Sequence, residues 1–210
     1  MSHIALLGDS IFDNAAYVAG APAVIDQVRS ALPRSWKASL LAVDGNVARD
    51  VLEQLNRIPS DATHLVMSVG GNDALGVLTQ LHSPTPLPMM HALRVLADIQ
   101  TKFAMDYGVI LKAALALELP ILCCTIYDQV PGLTQELRTA LSTFNDAILR
   151  ECARNRVPVL DLRSVCTEAT DYSVISPIEP SNGGGQKIAT RIASIVLNGN
   201  LESKVCQIHA

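Results

Sequence analysis

The sequence has no cluster of Lys and Arg, no C-x-x-C pair and no apolar run near the ~18 residues that suggest a membrane-spanning helix. Each absence narrows what the chain can do. A formal net charge of −4 without any basic stripe does not supply the concentrated positive charge that holds a phosphate backbone, so nucleic acid is not an expected partner. Five cysteines, Cys123, Cys124, Cys152, Cys166 and Cys206, are an odd number at spacings that fit neither a disulfide scaffold nor a zinc site, and reduced thiols are expected. No carboxylate cluster suggests a metal, and nothing calls for a cofactor. Met1-Ser2-His3 runs straight into Ile4 to Leu7, too short and uncharged for a signal peptide, which predicts a cytoplasmic protein without a membrane span.

What is present is apolar sequence in quantity: 49% of 210 residues, ample for one sizeable core. A single domain is expected over residues 1–198, with 199–210 as a polar tail. Five short apolar runs read as strands covered on both faces: Ile4 to Leu7, Ser39 to Val43, Leu65 to Val69, Ile121 to Ile126 and Val157 to Leu160. Between them the period changes to that of helices, with stripes at Val51, Leu52, Leu55 and Ile58; Leu96, Ile99, Phe103, Tyr107 and Ile110; Leu137, Leu141, Phe144, Ile148 and Cys152; and Ile188, Ile192, Ile195 and Val196. Strict alternation of strand and helix implies right-handed crossovers and a three-layer α/β/α sandwich on a parallel sheet. The segment from Leu81 to Met90, with Pro84, Pro86 and Pro88, is expected to be an irregular excursion, either a wall of a pocket or a spacer.

Ligands of such sheets collect at the carboxyl ends of the strands. Gly8-Asp9-Ser10 follows the first strand, Asp44-Gly45-Asn46 the second and Gly70-Gly71-Asn72-Asp73 the third, so three loops point at one place. Near the last helix comes Ser176-Pro177-Ile178-Glu179-Pro180. Together these four pieces resemble the GDSL/SGNH hydrolase family, over residues 4 to about 197. The resemblance implies five parallel strands in the order 2-1-3-4-5, a serine nucleophile at Ser10, and an oxyanion hole from the Ser10 and Gly45 N–H groups and the Asn72 amide. Asp9 and Asp73 take supporting places, Asp73 by holding its loop through backbone N–H groups. Asp13 reads as a cap of the turn after Ser10.

In the family the fourth block is Asp-x-x-His-Pro. Here Ser176 and Glu179 stand at the Asp and His positions, with Pro180 and the following glycines keeping the register. An exposed Glu is a weaker base than His by roughly 2 pKa units, a gap that burial narrows. Asp beside Glu would repel it, whereas the hydroxyl of Ser176 is able to donate a hydrogen bond to the Glu179 carboxylate. Two excursion histidines, His82 and His91, are alternative bases; His3 and His64 belong at the amino ends of strands, and His209 in the tail. The resulting expectation is hydrolysis of a small carboxylic ester by Ser10 with Glu179 as base and Ser176 supporting it. A catalytically silent ligand-binding pocket and an acyltransferase using the same serine are the alternatives. The oligomeric state is left open.

Overall fold

In the computed structural model, which describes residues 2–81, 87–199, 201 and 205–210, the strand β1 (Ser2–Gly8) sends alternate side chains to opposite faces of a sheet. Ile4 and Leu6 join one buried cluster, Ala5 and Leu7 a second. With β2 (Trp36–Leu40), β3 (His64–Ser68), β4 (Ile121–Cys124), β5 (Val159–Leu160) and β6 (Ile208–His209) it forms a sheet in the order β2-β1-β3-β4-β5-β6, every neighbouring pair parallel. β3 and β4 split as β1 does: Val66, Leu122 and Cys124 face the first cluster, and Leu65, Met67, Ile121 and Cys123 the second.

The helices are α1 (Val24–Ala31), α2 (Val51–Leu55), α3 (Gly71–Gly76), α4 (Leu78–Leu81), α5 (Met89–Leu115), α6 (Gln135–Asn155) and α7 (Asn182–Leu197). α1 and α7 close over the first face and α2, α5 and α6 over the second, giving three layers. All five cysteines are free, four of them buried in this packing. No helix among the described residues is long and apolar enough to cross a membrane.

Three expectations change. The sheet has six strands, because residues assigned to a polar tail return to its edge: Val159 N–H donates to Gln207 C=O and Asp161 N–H to His209 C=O, each at 2.8 Å. Two residues of pairing are too few to leave a periodic signal. Second, β2 begins at Trp36, ahead of the apolar run. It is an edge strand with only Ala38 buried, so its sequence is mixed, while Leu41 and Ala42 have left the ladder and both donate to Leu6 C=O. Third, Met89 already starts α5 behind Pro88, and helices α3 and α4 fill the stretch after β3. His82 lies outside the described residues.

Gly8 fixes how β1 meets β3. Its φ is +129°, and a Cβ placed there would lie 1.7 Å from Ser68 O, a backbone atom with no freedom to move aside. Gly8→Ala is therefore expected to lower unfolding free energy by at least ~3 kcal/mol, read from urea denaturation midpoints at unchanged slope. A loss under ~1 kcal/mol would mean the two strand ends separate easily.

Candidate active site

The chain leaves β1 at Gly8 and turns at once. Asp9 N–H donates to Ser68 C=O, the N–H groups of Phe12 and Asp13 both donate to Asp9 C=O, and Ile11 N–H donates to Asp9 Oδ1. This turn holds Ser10 at the strand end, 6% exposed, with its hydroxyl donating to Glu179 Oε1 at 2.9 Å.

Glu179 is held from several sides, although no regular element contains it. Glu179 N–H donates to Ser176 C=O across a tight turn, Ser173 N–H donates to Glu179 C=O, and the Tyr127 hydroxyl donates to Ile178 C=O at 2.6 Å. Asn14, wholly buried, donates through Nδ2 to Pro180 C=O and accepts Val24 N–H on Oδ1, so it pins this loop to the entry of α1. Ser181 caps α7 by accepting Gly184 N–H. The backbone of Gly184 passes so close to Asp171 that a Cβ would fall 2.1 Å from Asp171 O, which explains a glycine at the helix entry.

The oxyanion side is cross-linked in the same manner. Asn72, on the first turn of α3 and lining the cavity, donates one amide hydrogen to Asn46 C=O at 2.9 Å, and the second has no acceptor among the described residues. Asp73 accepts Ala48 N–H, joining this helix to the turn before α2. Gln54, wholly buried, pairs both ways with the backbone of Gly8 and also donates to Asn46 Oδ1. One side chain thus ties the strand that carries Ser10 to the loop that orients Asn72. Gly45 stands in the exposed turn Val43–Asn46 at φ +82°, and its N–H makes no hydrogen bond among the described residues. Asp13 Oδ2 accepts Asp44 N–H just beside it.

Asp9, Ser10, Asn72 and Glu179 all border one cavity of about 280 Å³; Gly45, Asp73, Ser176 and His91 are not among its lining residues. His91 sits exposed on the first turn of α5. The expected bond from the Ser176 hydroxyl to the Glu179 carboxylate is not formed: Glu179 Oε2 is buried with no hydrogen-bond partner among the described residues. Ser176 instead meets Glu179 through backbone, its carbonyl accepting the Glu179 N–H.

His3 engages in a different cluster. From the amino end of β1, its Nδ1 lies 2.8 Å from Asp61 Oδ1, ahead of β3, and its Nε2 2.8 Å from Ser39 Oγ, within β2. With both ring nitrogens occupied and Asp61 also bound to Lys37, the imidazole bolts three segments together on the side of the sheet away from Ser10.

Burial governs the electrostatics. Glu179 is 4% exposed, and its pKa is pushed up to about 7 by loss of solvent, opposed by the Ser10 hydrogen bond and reinforced by the charge of Asp44. Asp9 is also raised to about 7, mainly by burial, against the Ile11 N–H and with help from the charges of Glu179 and Asp73. Two buried carboxyls that border the cavity are thus both raised toward neutrality, chiefly by burial. Among the described residues no group of three or more His, Cys, Asp and Glu side chains is placed to hold a metal ion.

Sequence reasoning missed Gln54, Asn14 and Tyr127. Only Gln54 leaves a trace there, as a polar residue between Val51 and Leu55 on the buried side of a helix. The other two acquire roles solely through partners far along the chain.

Compared with known proteins, residues 6–177 match the model of the GDSL-like lipase/acylhydrolase family, a match that stops two residues short of Glu179. No curated protein matches. Among solved structures, the fold resembles the lipase Lip_vut3 from a goat rumen metagenome at a TM-score of 0.70 and 17% identity, over 92% of this chain and 96% of that one. It resembles the lipase/acylhydrolase from Enterococcus faecalis at 0.67 and 19%, over 96% and 97%, and the acetyl xylan esterase AlAXEase at 0.66 and 16%, over 92% and 99%.

The raised pKa of Glu179 has a stability consequence with a definite sign. A carboxyl that holds its proton more tightly when folded contributes fully below its unfolded pKa near 4.5, and that contribution is lost as pH rises to about 7. Glu179→Gln, which cannot ionise, is therefore expected to gain on wild type by up to ~3 kcal/mol at pH 8 and by little at pH 4. Thermal unfolding of both proteins at the two pH values measures this; an equal difference at both would mean the carboxyl is not desolvated.

Proposed function

The chain belongs to the GDSL-like lipase/acylhydrolase family, and on that premise we propose that it hydrolyses a carboxylic ester through an acyl-enzyme on Ser10, with Glu179 as the base. The observation that carries this reading is the 2.9 Å hydrogen bond from Ser10 Oγ to a buried Glu179. Geometry of that kind satisfies the first requirement of a general base, namely reach to the proton it takes. Burial supplies the second. A carboxylate titrating at about 7 is as strong a base as a free imidazole at ~6.5, so the replacement of His by Glu leaves no deficit of base strength.

In the first half-reaction Glu179 takes the Ser10 proton as Oγ bonds to the ester carbonyl carbon. The carbonyl oxygen becomes an oxyanion, received by the N–H groups of Ser10 and Gly45 and by the free amide hydrogen of Asn72. Collapse breaks the bond to the alcohol oxygen, and protonated Glu179 returns the proton to it. In the second half-reaction water replaces the alcohol: Glu179 takes its proton, the hydroxide adds to the acyl carbon, and Ser10 leaves with the proton back on Oγ. Asn72 suits its task because its other hydrogen is fixed on Asn46 C=O, which sets the amide plane before substrate arrives.

Hydrolysis of a p-nitrophenyl ester tests the assignment. Ser10→Ala should remove turnover, Glu179→Gln should lower kcat/KM by about 10²–10⁴-fold, and Asn72→Ala by about 10²–10³-fold. Because the base acts only when ionised, wild-type kcat/KM should climb about tenfold per pH unit below 7 and flatten above it. Glu179→Gln should lose that limb. Wild type no faster than Ser10→Ala would leave a ligand-binding pocket without chemistry, and capture of the acyl group by added alcohol in preference to water would make the protein an acyltransferase.

A further inference from the structure

The cavity beside Ser10 is polar at one end only. Asp9, Ser10, Ser68, Asn72 and Glu179 are its polar lining, together with Tyr127, whose hydroxyl is held by Ile178 C=O; the other described walls are apolar side chains and the backbone-rich Gly71 and Gly132. From the geometry we infer that this apolar arm is the acyl site, shaped for an unbranched saturated acyl group of medium length, around eight carbons, and that α3, α4 and the first turns of α6 set that length. The inference rests on the ester hydrolysis proposed above and adds the class of its acyl group.

Volume sets the length. An apolar cavity of ~150 Å³ holds benzene, six carbons, so at equal filling 280 Å³ accommodates about eleven heavy atoms. The ester carbon and its two oxygens take three of them, leaving about eight for the chain. A sixteen-carbon chain would leave half its length in water. Walls made mainly of apolar side chains, with the Tyr127 hydroxyl already donated to Ile178 C=O, also disfavour a hydroxylated or amide-bearing acyl group, whose polar atoms would lose water and find few partners.

Position fixes the limit. Phe144, 2% exposed, borders the cavity from α6 while packing at a tilt of 55° against Phe103, 4.9 Å between ring centres, so this wall is part of the close-packed core and resists displacement. Ala140, one turn earlier and 8% exposed, lines the same space with the smallest side chain available to that helix. The buried arm also suits the acyl group better than the alcohol. The acyl group stays bound to Ser10 between the half-reactions, whereas the alcohol must leave before water enters.

Two substrate series test this: p-nitrophenyl esters from acetate to palmitate, and octanoate esters of alcohols of increasing length. With wild type, kcat/KM should rise about threefold to fourfold per CH₂ up to a maximum near octanoate and fall for laurate and palmitate. Ala140→Leu adds three heavy atoms and should move the maximum about three carbons shorter, and Leu137→Ala should move it longer. A rate that depends on alcohol length but not acyl length, one that declines steadily from acetate, or a maximum that neither variant moves would overturn the acyl assignment. Each of these leaves hydrolysis by Ser10 standing, whereas a wild type indistinguishable from Ser10→Ala on every ester would remove the hydrolysis itself.

Discussion

A carboxylate taken out of water beside a serine hydroxyl is the constraint on which the site depends. Ionised carboxyls are expensive to bury, and among the described residues the Glu179 carboxylate is compensated by the Ser10 hydroxyl alone, with no hydrogen-bond partner at Oε2. Burial raises its pKa to about 7, which would make a glutamate useful as a base near neutral pH. The apolar walls proposed to hold the acyl chain are the same walls that keep solvent from the carboxyl. Substrate choice and base strength would then share one physical origin, and a wider, wetter pocket would weaken both.

Such a carboxyl stays in place only if the loop around it is over-determined. Backbone carbonyls of Ile178, Glu179 and Pro180 are each taken by a donor from elsewhere, Tyr127, Ser173 and Asn14, so three consecutive residues outside any helix or strand are held by hydrogen bonds. On the opposite wall Gln54 and Asp73 do the same for the loops carrying Asn46 and Asn72. None of these five residues needs to touch a reacting atom. They set the orientation of groups that would, which matters because a misplacement of about 1 Å in a reacting group is enough to slow a reaction a hundredfold.

How much of this was legible in the amino-acid order follows from where each signal originates. β1, β3 and β4 were readable because helices cover both faces and every residue must be apolar. β2, half covered at the edge, and β6, two residues long, lack that pressure, so one was misplaced by several residues and the other unseen. Ser10 and Asn72 carry a local mark, as turn residues just past β1 and at the start of α3 inside the family match, whereas the Glu179 expectation rests on the register kept by Pro180 and the glycines that follow. Asn14 and Tyr127 had no such mark: their function is to satisfy a carbonyl more than 50 residues away along the chain. Polar satisfaction is a property of the folded neighbourhood, and composition around the residue does not encode it.

The unmade bond from Ser176 carries the argument one step further. An imidazole base gains from a neighbouring carboxylate because its active cycle passes through a cation that the anion stabilises. A carboxylate base passes through a neutral acid, so nothing anionic beside it would help. A hydrogen bond donated to its charged form would lower its pKa and weaken it. The Ser10 hydroxyl already exerts that downward pull, as the attacking group must. A second donor at Oε2 would bring Glu179 closer to an ordinary exposed carboxyl. Ser176 meets the loop through its carbonyl, Oε2 has no hydrogen-bond partner among the described residues, and a base whose strength came mainly from burial would need no second member of a histidine triad.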